Sequence, residues 1–380
     1  MYINKYINCS LYIHIPWCIK KCWYCDFFSI NITNKHTDET MQKKYIDHII
    51  LDLKNTLFVL KQYIYVTSIF FGGGTPNLIK TEFIQYLLYE IKKLVYIPLN
   101  IEISMEINPT YKHHDNIIKY SKQINRISIG AQSFNEKYLH ILGRMHTVSD
   151  IYNTINILTA KHINNINIDL MYGLPGQTLE EMSNDLYQAL SLRPNHISWY
   201  QLSVKNSQYK HYQLPHEELL WKMFILGHKI FHKYKYIHYE ISSFSKSKKD
   251  KCQHNLNYWY NKDYLGLGCS AHSKITDINF QTIHIIKNKN FQKYMLGNYI
   301  THIDYFSKKD KLFNFFLNRA RLFKKIKKKE LIINTRLTMS FILPFITQAI
   351  LYGYLKQNNK YFIITKKGYL FLNDFLEIFI

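Results

Sequence analysis

The sequence predicts an α/β protein built on a parallel β-sheet. Short apolar, β-branched runs alternate with stretches of helical period through the first half of the chain. The predicted strands are residues 10–15, 67–71, 100–107, 126–130, 165–171 and 196–202. Strand-then-helix units in succession favour a parallel sheet, because parallel neighbours need a crossover connection. The regular alternation of strands and helices is lost after residue 203. This argues against a complete eight-stranded barrel, which is the alternative arrangement.

The stretches between the strands carry the signals of amphipathic helices. The first predicted helix spans residues 37–63. Its apolar face is marked by Ile46, Ile49, Ile50, Leu53 and Leu57. Two later helices have capping-box starts, at Thr147 with Asp150 and at Thr178 with Glu181. A further helix is predicted over residues 217–234.

The composition is that of a globular protein with a basic surplus. Of its 380 residues, 47% are hydrophobic and 20% are charged, which is ordinary for a soluble domain. The net charge of +22 would suit a nucleic-acid or anionic membrane partner. However, lysine is spread along the whole chain, and the runs at 246–251 and 324–329 are interpreted as solvated faces. We therefore expect no nucleic-acid partner.

The sequence shows neither a cleavable signal peptide nor a membrane-spanning helix. The first apolar run is short and contains His14, and the apolar stretch 341–355 is broken by Pro344, Gln348 and Gly353. Closely spaced cysteines without a secretory signal indicate a reducing compartment and a metal. We expect a cytoplasmic protein.

Three cysteines stand directly after the first predicted strand. Cys18, Cys22 and Cys25 have the spacing C-x3-C-x2-C. A cubane iron–sulfur cluster normally takes four cysteines, so three leave one iron open for a small molecule. A closed zinc site needs four protein ligands, but there is no second C-x2-C pair, and His14 lies within an apolar strand pattern. The spacing therefore favours an iron–sulfur centre.

This motif resembles the signature of the radical SAM superfamily, in which an aromatic residue, here Tyr24, precedes the third cysteine. Residues 12–27 are similar to proteins related to oxygen-independent coproporphyrinogen oxidase, and later motifs resemble the heme chaperone branch of that family. The resemblance implies a partial, open (β/α)6 radical SAM barrel. It also implies a [4Fe–4S] cluster on the three cysteines and S-adenosylmethionine on the open iron.

Polar and small residues follow the predicted strands, where the chemistry of such barrels collects. Consecutive glycines before Thr75 let the backbone approach a ligand, and their N–H groups can cradle a carboxylate. Glu106 can accept from an ammonium or a ribose, Gln132 can bond a ribose or base edge, Arg144 can pair with a carboxylate, and Asp169 suits ribose hydroxyls.

The resemblance assigns these residues to one S-adenosylmethionine site. Its implied members are Tyr12, Tyr24, Gly73, Gly74, Thr75, Glu106, Gln132, Arg144 and Asp169. A solvent-facing acid at Glu106, a plain tight turn at the glycines and a core tyrosine at Tyr12 are the alternatives.

A second motif, His254-Asn255-Leu256-Asn257-Tyr258-Trp259, resembles the H-N-x-x-Y-W pattern of the heme chaperone branch. A histidine beside two aromatic residues suits heme, because imidazole binds iron and flat rings stack on a porphyrin. The resemblance implies that His254, Asn255, Tyr258 and Trp259 contribute to heme binding. The alternative is that His254 and Asn255 satisfy local backbone while the aromatics form core.

Two functions from different classes fit these motifs. The first is a heme chaperone that holds a [4Fe–4S] cluster and S-adenosylmethionine and passes heme to an acceptor protein. The second is an oxygen-independent coproporphyrinogen oxidase, an enzyme. The oxidases carry a fourth cysteine where this chain has Phe27, and they lack the second motif, so the chaperone is favoured and oxidase activity is not expected. A radical enzyme of unknown substrate, peripheral membrane contact and a homodimer are left open.

The last part of the chain predicts a small α-rich, winged-helix-like domain. Residues 311–326 have amphipathic period, apolar runs around Gln357–Lys360 indicate a hairpin, and residues 369–378 predict a closing helix. Three domains are expected: a radical SAM core over 1–235, a connecting region over 236–305 and a helical C-terminal domain over 306–380.

Overall fold

The computed structural model describes residues 6–32, 39–109, 119, 123–204, 212–277 and 279–380. Its strands, in chain order, are β1 Tyr6–Ile15, β2 Trp17–Cys18, β3 Ile30–Asn31, β4 Tyr63–Gly73, β5 Glu102–Ile107, β6 Arg126–Gln132, β7 Ile166–Tyr172, β8 His196–Gln201, β9 Ile237–Glu240, β10 Ser243–Ser245, β11 Asp263–Leu267, β12 His272–Thr276, β13 Thr282–Lys287, β14 Ile300–Tyr305, β15 Ile326–Lys327, β16 Leu355–Gln357 and β17 Tyr361–Ile364. The six predicted strands are confirmed as β1 and β4–β8.

The α-helices pack around this framework. They are Glu39–Leu60, Thr81–Leu94, Glu136–Ile141, Val148–Ala160, Leu179–Ser191, Glu217–Lys233, Gln253–Trp259, Phe291–Met295, Lys308–Arg319, Lys328–Thr335, Met339–Leu351, Lys366–Leu370 and Leu372–Glu377. Both predicted capping boxes are present, with Thr147 and Thr178 each bonded reciprocally to the third residue of its helix. Among the described residues, no helix is both long and apolar enough to cross a lipid bilayer.

One large sheet organises the molecule, in the order β14-β13-β12-β11-β1-β4-β5-β6-β7-β8-β10-β9. Seven neighbouring strands, from β11 through β1 to β8, are parallel, and the strands beyond them on both sides are antiparallel. The sheet is therefore an open barrel, as the resemblance implied. Parallel pairing places the carboxyl ends of these strands at one edge.

Residues 236–305, predicted as a connecting region, supply strands to both flanks of this sheet. The strand β11 pairs in parallel with β1, with Leu11 opposite Leu265. Its sequence, Asp263-Tyr-Leu-Gly-Leu267, is short and has a glycine at its centre, so its strand signal is weak. That glycine is required, because a Cβ at Gly266 would lie 2.2 Å from the carbonyl oxygen of His272.

The sheet core is formed by the apolar runs that predicted the strands. Leu11, Ile13 and Ile15 of β1 are fully buried. The first helix covers them with the predicted face, of which Ile46, Ile49, Ile50 and Leu53 are buried and Leu57 is half-buried. Each such side chain stabilises the fold by about 1.5–3 kcal/mol. This helix begins at Glu39; the first two residues of the predicted span lie outside the described residues.

The C-terminal part has its own core, which includes Leu312, Phe316, Ile346 and Phe362. Its strands form a separate sheet in the order β15-β17-β16, and the predicted hairpin is the antiparallel pair β16–β17. Helices plus this hairpin confirm the α-rich, winged-helix-like expectation. The division into three domains stays a prediction.

Two helix boundaries in this part were predicted wrongly. The helix predicted over 311–326 runs over Lys308–Arg319 instead. The buried Arg319 guanidinium donates to the carbonyls of Lys324 and Lys325 at 3.3 and 3.0 Å, which folds the chain back. The predicted closing helix is two short helices, because Phe371 leaves the helical region with φ −112° and ψ 54°.

Candidate functional site

The loop with the three cysteines follows β1 and is held at both ends. Strands β2 and β3 pair across it, so that Trp17 lies opposite Ile30 and Cys18 opposite Asn31. The backbone N–H of Cys25 donates to the carbonyl of Cys22 at 3.1 Å, which turns the chain between these two cysteines.

All three cysteines carry free, half-buried thiols, and all three line one cavity of about 560 Å³. The hydroxyl of Thr75 lies 3.5 Å from the Sγ of Cys18. Burial, together with the nearby Cys22 and Cys18, raises the pKa of the Cys25 thiol. Among the described residues, no three histidine, cysteine or acidic side chains are already gathered around a single metal-ion position. A cluster of several iron and sulfur atoms fills a larger space than a single ion, and the three cysteines all line the same cavity.

The glycine turn after β4 lies directly against the cysteine loop. The N–H of Gly74 donates to the carbonyl of Ile15 and that of Thr75 to the carbonyl of Trp17, both at 2.7 Å. A Cβ at Gly74 would lie 2.5 Å from the Trp17 carbonyl oxygen, so packing between the two segments requires glycine. The N–H groups of Gly73 and Gly74, expected to cradle a carboxylate, already have protein acceptors in this structure.

Two acidic side chains, Glu106 of β5 and Asp169 of β7, line the same cavity. Glu106 accepts from the N–H of Gly73 at 3.2 Å, and burial, with the charge of Asp169 nearby, raises its pKa to about 8. Asp169 accepts from Ser128 Oγ at 2.9 Å and from Asn167 Nδ2 at 2.8 Å, and burial raises its pKa above the usual range. Both carboxyl groups therefore favour a ligand that donates hydrogen bonds or brings positive charge.

Arg144 is one of the cations of the cavity, which Lys20, Lys21 and Arg321 also line. Its Nη2 donates to the carbonyl of Gly130 at 2.7 Å and to Asn108 Oδ1 at 2.5 Å, and its Nη1 approaches the Sγ of Cys22 at 3.7 Å. Its Nε is buried without a hydrogen-bond partner among the described residues. No carboxylate contacts this guanidinium in the described part of the chain, so it is available for an anionic ligand group.

Gln132 and Tyr24 complete the wall. Gln132 has φ +70° at the end of β6, and its Oε1 accepts from the hydroxyl of Tyr200 at 2.9 Å. Tyr24 lies beside Arg144 and Cys22, and burial raises the pKa of its hydroxyl well above the usual range. The structure thus gathers the three cysteines and eight of the nine predicted nucleotide residues around one cavity.

Tyr12 is the exception. It lines a second cavity, of about 540 Å³, on the other side of the cysteine loop. Its hydroxyl is hydrogen-bonded to His14 Nδ1 at 3.0 Å, and its ring stacks on Phe70. A Cβ at Gly72 would lie 3.0 Å from both Tyr12 Cε2 and Glu106 Oε2, so the Tyr12 ring still lies close to one of the predicted contacts. Its place in the nucleotide site stays a prediction.

The second motif forms the helix Gln253–Trp259, which is capped by Cys252. His254 is only 1% exposed, and its ring nitrogens are bonded to Ser68 Oγ at 2.9 Å and to Tyr258 OH at 3.0 Å. Burial lowers its pKa to about 3. The other members reach the cavities: Asn255 and Trp259 line the first, and Tyr258 lines the second. His254 itself therefore supports the motif from within the core.

Sequence reasoning missed several residues of the first cavity. They include Asn108, Tyr200, Glu240 and Arg321. Asn108 and Tyr200 lie at the ends of predicted strands, a signal that was available. Arg321 comes from the C-terminal part of the chain. Its Cζ lies 4.4 Å from the ring centroid of Trp259, and its Nη2 lies 3.8 Å from Oε2 of the buried Glu240. No local pattern marks that contact.

Known proteins resemble this chain over its whole length. The family model described as Radical SAM superfamily matches residues 12–186. The protein named heme chaperone HemW in Buchnera aphidicola subsp. Acyrthosiphon pisum is 46% identical over 375 residues, 98% of each chain. Its namesake in Escherichia coli is 39% identical over 377 residues, again 98% of each chain. The chain belongs to the HemW family of the radical SAM superfamily.

This HemW-family chain also has a close relative in fold. The solved structure of coproporphyrinogen III oxidase (HemN) from Escherichia coli matches all of this chain and 91% of that chain, with a TM-score of 0.81. The two are 20% identical, so the likeness concerns the fold alone. The predicted family and fold class are confirmed, and membership of the radical SAM superfamily implies an iron–sulfur cluster and S-adenosylmethionine as cofactors.

Proposed function

We propose that this HemW-family protein is a heme chaperone that carries one [4Fe–4S] cluster and S-adenosylmethionine and passes heme to an acceptor protein. The observation that carries the proposal is the full-length similarity to proteins named heme chaperone HemW. The convergence of three free thiols and eight predicted nucleotide residues on one cavity supports the cofactor part.

In this proposal Cys18, Cys22 and Cys25 hold the cluster. When bound, the cluster offers an open iron to the amino and carboxylate groups of S-adenosylmethionine. The half-buried thiols line the cavity from a loop held by β2 and β3.

Side chains that line the first cavity orient the nucleotide. Arg144 supplies an unneutralised positive charge for the carboxylate, held in place by Gly130 and Asn108. Glu106 and Asp169 accept hydrogen bonds from the amino group and the ribose. Tyr24, Gly73, Gly74, Thr75 and Gln132 shape the remaining wall.

A chaperone function is favoured over an oxidase by the residue after Asp26. Phe27 takes the place where the oxidases carry a fourth cysteine, and its side chain is 60% exposed. The second motif contributes Tyr258 to the second cavity and Asn255 and Trp259 to the first, and His254 holds Tyr258 through its ring nitrogen.

The test is anaerobic reconstitution with iron and sulfide, followed by titration with ferric heme. We expect a broad cluster absorbance together with saturable heme binding at one heme per chain. A Cys18→Ser, Cys22→Ser, Cys25→Ser variant should lose most iron. The matched variant Cys9→Ser, Cys252→Ser, Cys269→Ser should keep the cluster, because those thiols are buried away from the cavity. A wild-type protein that binds no heme would overturn the proposal.

A further inference from the structure

A second cavity lies beside the cysteine loop, next to the cavity that gathers most of the predicted nucleotide residues. Its volume is about 540 Å³, within the range of about 300–1,000 Å³ typical of small-molecule sites. It opens at the carboxyl ends of β1 and β11, which pair in parallel with Ile13 opposite Leu267. Lys21, Asp26 and Phe27 line both this cavity and the first one.

The lining of the second cavity is aromatic on several sides. Phe27, Phe28, Tyr258 and Tyr264 contribute rings. Phe27 is largely exposed, and Tyr258 packs edge-on against Tyr264 with ring centroids 4.6 Å apart. Such surfaces suit a flat, apolar macrocycle, which gains both burial and stacking.

Two cations and one acid face the same cavity. Lys21 and Lys289 can pair with carboxylates at the rim of a ligand. Asp26 lies between the two cavities and is the acidic residue of this lining. The balance favours a ligand whose polar groups are anionic and whose body is apolar.

His272 supplies a metal-binding imidazole to this cavity. It lies at the start of β12, is exposed, and its Nδ1 is 3.1 Å from His284 Nε2. When Nδ1–H donates to His284, the lone pair of Nε2 is left for a metal. Metal-ligating histidines usually donate their other ring N–H in this way. His284 is backed in turn by Asp304, with Nδ1 to Oδ2 at 3.9 Å.

The other histidine of the cavity is already engaged. His14 is 4% exposed, and its ring nitrogens are bonded to Tyr12 OH and to the Phe28 carbonyl, both at 3.0 Å. His254 of the second motif is buried and doubly bonded as well. Among the described residues that line this cavity, His272 is the histidine whose Nε2 has no hydrogen-bond partner.

We propose that the second cavity is the heme site and that His272 is an axial ligand of the heme iron. The rings of Phe27, Phe28, Tyr258 and Tyr264 contact the macrocycle, and Lys21 and Lys289 pair with its propionates. In this arrangement His254 is a positioning residue, which holds Tyr258 against the cavity. This inference rests on the proposed heme chaperone function and names its binding site.

The experiment titrates ferric heme into full-length His272→Ala and records absorption and electron paramagnetic resonance spectra. The expected result is a loss of affinity of at least about tenfold and loss of the imidazole-ligand signature. Added imidazole should restore that signature in the variant. The control is His232→Ala, which removes an exposed histidine near the end of the helix Glu217–Lys233, outside the cavity, and should leave both readouts unchanged.

A second pair of variants tests the carboxylate contacts. Lys289→Glu should weaken heme binding, whereas Lys293→Glu, on the exposed side of the next helix, should not. Wild-type spectra and affinity in His272→Ala would overturn the proposed ligand while leaving the chaperone function standing. Equal effects of the two lysine variants would remove the propionate contact. Absence of heme binding by the wild type would instead remove the chaperone function.

Discussion

The guanidinium Nη1 of Arg144 lies 3.7 Å from the Sγ of Cys22. A cation from the loop after the helix Glu136–Ile141 and a cysteine of the predicted cluster motif, 122 residues apart in the chain, thus meet in one cavity. The contact joins the proposed cluster site to the proposed nucleotide site, because the same guanidinium is positioned by Gly130 and Asn108.

The first prediction concerns this cation. Arg144→Gln should weaken S-adenosylmethionine binding by about 1.5–3 kcal/mol, the usual contribution of a hydrogen bond to a charged group. Calorimetry on the cluster-loaded protein measures the change. Arg193→Gln, an exposed position, is the control and should bind as the wild type does. Equal affinity in the two variants would show that Arg144 does not contact the ligand.

Asp169 provides the second prediction. Removing its carboxylate in Asp169→Ala should cost about 1–3 kcal/mol of nucleotide affinity if a buried ribose contact is lost. Cluster absorbance should not change, since the side chain is held by Ser128 and Asn167 rather than by the cysteine loop. Asp47→Ala, on the exposed side of the first helix, is the control. Unchanged affinity would remove Asp169 from the site.

The third prediction follows from the buried imidazole of His254. Its folded pKa of about 3 lies below the ordinary 6.5, so the unfolded chain takes up a proton that the folded chain does not. The stabilising contribution of the neutral His254 ring is complete above pH 6.5. As the pH drops from 6.5 toward 3, the free energy of unfolding falls by about 1.4 kcal/mol per pH unit. His254→Gln should reduce this slope in urea unfolding between pH 4 and pH 7.

The comparison for that slope is His232→Gln, which replaces an exposed histidine near the end of its helix. It should keep the wild-type dependence on pH. If His254→Gln keeps the same slope too, His254 is not buried as a neutral ring in solution.

A buried ion pair between Lys287 and Asp52 gives the fourth prediction. It ties β13 to the first helix, and Tyr294 OH also donates to Asp52, at 2.9 Å. Lys287→Met should lower the free energy of unfolding by about 3–5 kcal/mol, because it leaves a buried carboxylate without its cation. Asp52→Asn added to this variant should recover part of the loss. A change below about 0.5 kcal/mol, as expected for the surface control Lys293→Met, would contradict a buried pair.

Much of the central sheet could be predicted because its signals are local. The strands β1 and β4–β8 are rich in apolar and β-branched residues, as expected for parallel strands that are buried on both faces. The strand β11 and its antiparallel neighbours could not be predicted, because Asp263–Leu267 is short and its pairing with β1 spans some 250 residues of sequence. Contacts at that separation leave no periodic pattern.

The residues of the candidate site also fall into those that the sequence could predict and those that it could not. Glu106, Gln132 and Asp169 were predictable because parallel strands bring their carboxyl ends together. Tyr12 lines the second cavity, and this follows only from the contacts of its side chain with Phe70 and His14 in the folded structure. His254 matches a motif, yet its partners Ser68 and Glu102 come from other strands, and no spacing rule links them to it.

We propose that this radical SAM protein binds heme for transfer and does not oxidise coproporphyrinogen. The most direct measurement supplies the reconstituted, S-adenosylmethionine-loaded protein with coproporphyrinogen III and a reductant, and follows product porphyrin and 5′-deoxyadenosine, with a parallel heme titration of the same sample. We expect saturable heme binding and no decarboxylated product. Sustained conversion of coproporphyrinogen III would contradict it.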